Sequence, residues 1–600
     1  MALTSSSSRV APGRTSTISA QKTSSPSSPA ESSSLANCPC DLLHLTAPPH
    51  RSTTAPQHTS STMFPPPLER TTVILNSLRA RRRIGVPVVA VAAVALLASC
   101  AASTDEAASS QDVIFALKED PTCIDPQQVT VTTGLNVARQ LVDSLLDQDP
   151  KTGELVPWLA ESWTANDDLT SFDFTLRDGV TFSDGTELTA DVVAANFDAA
   201  MQLGASASLV AQYLAGYTAT TVNDESSFTV DFSAPNAQFL QGASTITLGI
   251  VSAETTTETP EARCQSIVGS GAFVLESYVQ NDSLEIVKRT GYDWGSELRG
   301  HTGEAYADSI TFPIITENGV RTGGLTSGEF DVIQDLPYID ESRFATDDYA
   351  LYAAANPGVP NSLIANTSTG VLAEEAVRKA VMIGLDRGEI NELTGSASGQ
   401  APTSVLTSTT PGYTSQAKAM EFDRDGAIDL LEEAGWVEGA DGIREKAGQK
   451  LTATVTGFYA QDVLEAAQIQ LKEIGFDLQL NMVTPGDFFG AIASGSYEFL
   501  GAGLTRTDPD VLRVLLSQEA SSHWAIVDDA ELEALLAEQA TTADADARQA
   551  IIDDIQALVV DKAYVIPTLE TIQLHASSSS VSGIVFDSAS RVNLFDMKLS

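Results

Sequence analysis

One stretch, residues 159–200, constrains the fold more than any other: LAESWTANDDLTSFDFTLRDGVTFSDGTELTADVVAANFDAA. Phe172, Phe174 and Leu176 alternate with Asp173, Thr175 and Arg177, the period-two pattern of a half-buried strand. Asp178-Gly179 and Asp184-Gly185 are turn dipeptides, because glycine adopts positive φ without steric cost. Thr189 then stands as N-cap before Val192, Val193 and Phe197, an apolar set at helical spacing. Strand, two tight turns and helix follow one another here, and none of these residues forms a catalytic constellation.

Six hundred residues are too many for one core and imply two or three lobes. A hydrophobic content of 43% supports a globular interior. The net charge of -45 argues against nucleic acid or an anionic membrane surface as partner. The first 99 residues hold nine Lys and Arg against three Asp and Glu, so the remainder carries 25 basic and 76 acidic residues. That excess reads as a solubility feature of an exported protein. Of the five cysteines only Cys123 and Cys264 lie in the body of the chain. In an exported protein they are a candidate disulfide, with two separate thiols as the alternative.

The N-terminal region divides by composition. Residues 1–62 are rich in Ser, Thr and Pro without periodicity, and precede an export signal. They read as a start-site artefact, with Met63 as the expected start; a genuine disordered extension is the alternative. Arg79, Arg81, Arg82 and Arg83 form a basic region before an apolar run, residues 84–99, short for a membrane span but suited to a signal peptide. It ends in Leu97-Ala98-Ser99-Cys100, similar to a bacterial lipobox, in which Cys100 becomes the lipid-modified first residue. Residues 63–99 are thus expected as signal peptide and 100–110 as lipidated cysteine and polar tether.

The body offers no convincing enzyme chemistry. Past Cys100 the only histidines are His301, His523 and His575, far apart in sequence. No H-E-x-x-H, C-x-x-C or G-x-S-x-G occurs there, and Gly269-Ser270-Gly271 opens a strand rather than a helix. Neither a metal nor a cofactor is expected.

The 159–200 stretch follows, nearly throughout, the pattern lAesW…F-x-L-R-d-G-v-x-F-x-D-G-t-x-l-t-A-x-D-V, and so resembles the family 5 extracellular solute-binding proteins that feed peptide and nickel ABC importers. Further segments share the resemblance. Val268-Gly269-Ser270-Gly271-Ala272-Phe273 matches v-G-t-G-p-y/f, with Ala272 where proline is usual. Residues 325–333, the 377–387 segment ending in Asp386-Arg387, and residues 423–436 match further family blocks, so that the likeness spans about 111–600. It implies an α/β, bilobal periplasmic-binding-protein-like fold with an extra accessory domain of the cluster C type. Lobe I is expected at 111–155, 253–365 and 571–600, the accessory domain at 156–252 and lobe II at 366–570. Two crossing segments, near Ile364 and near Ile566, are expected to hinge the lobes.

The resemblance further implies a monomeric, non-enzymatic receptor. It would capture an oligopeptide or similar small polar solute and deliver it to an ABC permease with its ATPase subunits, at the outer face of the cytoplasmic membrane. In peptide-binding relatives an aspartate before the segment Asp508-Pro509-Asp510 pairs with the ligand amine; here Thr505 takes its place and Arg506 follows. Arg506 is therefore a candidate for a ligand carboxylate or phosphate. Asp508, Asp510 and Asn366 are candidate polar contacts, and Trp436 and Trp524 candidate cleft walls. Bland readings stand beside these: a salt bridge for Arg506, helix capping for the aspartates, core packing for the tryptophans. A secreted lipid-anchored hydrolase and a signalling or chaperone-like binding lipoprotein are the alternative functions.

Overall fold

The structure, a computed structural model, describes residues 110–519 and 524–600. The expected leader and signal peptide, Cys100, nearly all of the tether and His523 lie outside the described residues.

A seven-stranded sheet runs in the order Tyr349–Ala355, Ile572–Ser578, Val332–Ile333, Asp112–Ala116, Ser309–Pro313, Ser283–Lys288, Phe273–Val279. Its central strand Asp112–Ala116 pairs parallel with both neighbours, and the outer pairs are antiparallel. A five-stranded sheet, Asp477–Met482, Thr452–Gly457, Phe499–Thr505, Gly358–Ala365, Val565–Leu569, forms the second lobe. Each sheet anchors its own hydrophobic core, so the fold is bilobal.

The chain passes between the sheets twice, at 356–357 and again at 570–571. Asn356 N donates to Thr571 O at 2.9 Å and ties the two passages together. These differ from the crossings expected near Ile364 and Ile566. Both isoleucines lie inside the five-stranded sheet, where Ile364 pairs with Val565 and Leu363 with Ile566. The whole strand Gly358–Ala365 thus belongs to the second lobe; its apolar residues gave no sign of which sheet it would join.

The 159–200 stretch supplies two strands, Ala160–Ala165 and Ser171–Leu176, of a four-stranded antiparallel sheet that Ser227–Phe232 and Tyr217–Val222 complete. The period-two pattern delivers Phe172, Phe174, Phe228 and Phe232 to one face, against Phe197 of helix Ala190–Gln202 and Phe239. Burying each ring contributes roughly 1.5–3 kcal/mol, and this core is continuous with that of the first lobe. Thr189 sits at the N-cap in extended backbone, although its hydroxyl makes no capping hydrogen bond.

Close packing explains two glycines. A Cβ on Gly269 would lie 1.9 Å from Leu141 O, and one on Gly271 2.5 Å from Leu141 C. The helix beneath them, Thr132–Leu141, stops there because Val142 turns extended, and the chain enters strand Leu146–Gln148 four residues later. Cys123 and Cys264 form a disulfide. Beside it the buried Arg263 lies 2.9 Å from Asp125 and donates to Gln127 Oε1 at 2.7 Å.

Candidate functional site

A cavity of ≈ 250 Å³ opens where the chain passes between the sheets. From the first lobe come Lys118, Thr132, Asp335, Tyr338 and Gln573; from the second come Val359, Pro360, Asn361, Tyr459, Gly503, Leu504 and Thr505; Asn356 and Thr571 close it at the passages. The fold positions these groups by three local devices. The strand Gly358–Ala365 carries a bulge between Val359 and Ser362, where Pro360, which lacks an N–H, is tolerated. Opposite the bulge, Gly503 admits no side chain, since a Cβ would meet Val359 O at 2.8 Å. Asp335 is held at φ 56°, a conformation uncommon outside glycine that concentrates at ligand-contacting positions.

The walls are polar and fixed by hydrogen bonds. Lys118 Nζ lies 3.1 Å from Asp335 Oδ2, both partly exposed. Asp335 N–H donates to Nδ1 of the buried His575 at 3.3 Å, which assigns that imidazole the Nε2–H tautomer. Burial pushes the His575 pKa down to about 4, against the pull of Asp335. Tyr338 donates to Ile572 O at 2.8 Å, and Tyr459 accepts from Gly503 N–H at 2.7 Å. Burial raises each phenol to about 12, so both remain neutral hydrogen-bonding groups. Asn361 donates to Thr571 Oγ1 at 3.2 Å across the second passage.

Of the residues singled out from sequence, Thr505 lines this cavity and Arg506 stands next to it. The Arg506 guanidinium lies 4.7 Å from the centre of the Tyr213 ring and donates to Gln212, so it faces helix Ser208–Tyr213. The others are placed elsewhere. Asp508 accepts both Nη atoms of Arg548, and Asp510 accepts Nε and Nη2 of Arg513. Asn366 is buried, donating to Tyr497 O and accepting from Ser368. Trp436 is buried in the second core, with its indole N–H donated to Glu374, and is no cleft wall. Trp524 packs edge-on against Phe488 and Phe489 at the flank of that core, away from the cavity lining. Ion pairing, local hydrogen bonding and packing account for these side chains without a ligand, and Asp510, although at the N-cap of helix Val511–Leu516, makes no capping hydrogen bond.

The cavity residues that sequence reasoning missed are Lys118, Asp335, Tyr338, Asn361 and Tyr459. They come from four separate segments, Asp335 and Tyr338 sharing one, and the only local signal is position: Lys118, Asp335 and Tyr459 stand just past the end of a strand. Among the described residues there is no group of three or more His, Cys, Asp or Glu that could hold a metal ion, and no helix long and apolar enough to cross a membrane.

Comparison with known proteins agrees with this architecture. Residues 154–525 match the family model of bacterial extracellular solute-binding proteins, family 5 Middle. The chain is 26% identical over 420 residues to the glutathione-binding protein GsiB of Escherichia coli (strain K12), covering 68% of this chain and 75% of that one. The Salmonella typhi protein of the same name is 26% identical over 403 residues, 66% of this chain and 73% of that one. Among solved structures, NikA from Brucella suis in complex with Fe(III)-EDTA superposes with a TM-score of 0.71 at 21% identity, covering 82% of this chain and 100% of that one. A dipeptide-binding protein from Pseudoalteromonas sp. SM9913 in complex with Met-Leu gives 0.68 at 21% identity, with the same coverage. With more than half its length matched by the family model and the bilobal fold shared with these structures, the chain belongs to the bacterial extracellular solute-binding proteins of family 5.

Proposed function

We propose that the protein is the receptor of an ABC import system, taking a short peptide between its lobes and presenting it to a membrane permease. The observation that carries this reading is the polar cavity walled by both lobes at the two passages, where a hinge motion encloses a small solute. Its groups are hydrogen-bond donors and acceptors without a nucleophile–base pair, which favours capture over turnover. Thr505 supplies no charge for a ligand amine, so Asp335 takes that role in this reading, exchanging Lys118 for the incoming ammonium. The curated relatives bind glutathione by name, which makes glutathione and other tripeptides the first solutes to try.

The test is native mass spectrometry of the purified protein, followed by thermal-shift titration with glutathione and a di- and tripeptide panel. A co-purified mass that leaves on unfolding, or a saturable stabilisation by a panel member, supports the receptor. Silence in both, together with hydrolysis of a panel member, moves the assignment to the hydrolase. We further propose anchoring through a lipid on Cys100. A Cys100→Ser protein recovered from the membrane fraction as fully as the wild type would exclude it.

A further inference from the structure

Two arginines beside the cavity are buried without a carboxylate partner. Arg506 and Arg591 are 8% and 7% exposed, yet among the described residues neither has an Asp or Glu oxygen within 4.0 Å, unlike Arg139, Arg263, Arg299, Arg513 and Arg548. A guanidinium largely shielded from water gains from an opposite charge or further acceptors, and the nitrogens of these two that lack a partner are not fully enclosed. Arg506 has one acceptor, Gln212, and the face of Tyr213. Arg591 has one, Thr132 Oγ1 at 3.2 Å. Asp587, whose charge Arg591 feels, accepts the Ala589 and Arg591 backbone N–H groups and lies 3.4 Å from Arg139.

These two cations converge from opposite lobes. Arg506 directly follows the second-lobe strand Phe499–Thr505, whose last residue lines the cavity. Arg591 stands at the tip of a hairpin, Val585–Phe586 pairing with Val592–Asn593, that packs into the first core. The two segments touch, Thr507 Oγ1 donating to Ser588 O at 3.4 Å, and the charge of Arg506 reaches Arg591. Thr132, which Arg591 contacts, is a cavity-lining residue and the first residue of helix Thr132–Leu141. That end has no side-chain cap and is electropositive.

We infer that Arg506 and Arg591, with the N-terminus of helix Thr132–Leu141, form a site for a ligand oxyanion, specifically the carboxylate of a bound peptide. The inference rests on the receptor reading for the identity of the ligand, though not for the existence of the site. An oxyanion there neutralises a repelling pair and bonds to both lobes at once, so its binding energy favours the closed arrangement. A peptide lying along the cavity would then place its ammonium at Asp335 and its carboxylate at the arginines.

The experiment compares free-acid and C-terminally amidated forms of the same tripeptides by calorimetric titration of the full protein, in the wild type and in Arg506→Gln and Arg591→Gln variants. The expected result is a preference for the acid of about ten-fold or more in the wild type, reduced to near parity in each variant. An undiminished preference in variants that still bind overturns the site. Should no tripeptide bind the wild type, the peptide reading fails by itself, and inorganic phosphate decides the site. At matched ionic strength phosphate should raise the melting temperature of the wild type and not of the double variant; an equal rise in both overturns it. Arg506→Lys and Arg591→Lys, which retain the charge, guard against loss of fold and should keep part of the preference.

Discussion

The carboxylate of Asp508 meets the guanidinium of Arg548 two atoms on two, Oδ1 2.6 Å from Nη2 and Oδ2 3.1 Å from Nη1. Both side chains are largely buried, and the aspartate also accepts the Asp510 backbone N–H at 2.8 Å. The pair is satisfied within the second lobe, joining the loop after strand Phe499–Thr505 to helix Ala545–Asp561. Removing one charge strands the other, so Asp508→Asn should destabilise the protein by roughly 3–5 kcal/mol in urea unfolding. Ligand affinity of the folded variant should be unchanged. Lost affinity with intact stability would return Asp508 to the binding site.

This pair also shows where the sequence stops being informative. Strands such as Ser171–Leu176 and helices such as Arg424–Glu433 are legible because side-chain period and turn chemistry are local. An ion pair is not: Arg548 is forty residues from Asp508, and nothing near Asp508 announces that its charge is already taken. Trp436 is ambiguous for the same reason, since an indole on an apolar helix end suits a core or a cleft equally until the neighbouring segments are placed. The cavity is less legible still. Lys118 and Asp335 meet across more than two hundred residues, and only the parallel pairing of their strands brings them together. Arg506 stood out because it follows Thr505, where the resemblance to peptide-binding relatives implies an aspartate; Arg591, its counterpart, had no motif to mark it.

His575 makes the cavity wall acid-sensitive. Its pKa falls to about 4 in the fold from an ordinary 6.5, because burial disfavours the imidazolium. Between those values the unfolded chain binds a proton that the folded protein refuses, so stability is lost as pH drops from 6.5 toward 4. Near pH 5 the loss amounts to about 2 kcal/mol. A His575→Gln variant, with a carbonyl to accept the Asp335 N–H, should show a shallower fall in melting temperature over that window. Parallel curves for the two proteins would refute the assignment.

Asp143 works in the opposite sense. Burial raises its pKa to about 7, although Tyr292, Arg139, Trp294 and Arg289 all favour the carboxylate. Between its ordinary 3.8 and about 7 the folded protein holds a proton that the unfolded chain has released, so this contribution to stability is present at low pH and is lost as pH rises through 7. Asn is neutral at every pH and keeps an oxygen for the Tyr292 hydroxyl and the Trp294 N–H, each 3.1 Å away. The Asp143→Asn variant should therefore gain stability relative to wild type as pH is raised from about 5 to 8, as read by chemical denaturation across that range. A constant difference would mean that Asp143 is ionised throughout.

The disulfide joins residues 141 apart, Cys123 in the loop after the first strand and Cys264 at the end of helix Pro260–Arg263. Closing a loop of that length restricts the unfolded chain, an effect of roughly 4–5 kcal/mol on the loop-entropy model. The junction does not depend on the bond alone, since Ile124 N–H donates to Cys264 O at 3.2 Å and Arg263 holds Asp125 and Gln127 alongside. Reduction should therefore lower the melting temperature by several degrees and leave the native fold and ligand binding in place. Combining Cys123→Ser with Arg263→Met should cost more than the two changes separately, because both act on one junction. Alkylation supplies the direct check: iodoacetamide should label neither cysteine in the native protein until reductant is added. Full labelling of both without reductant would show two free thiols, and the melting temperature should then be indifferent to reductant as well.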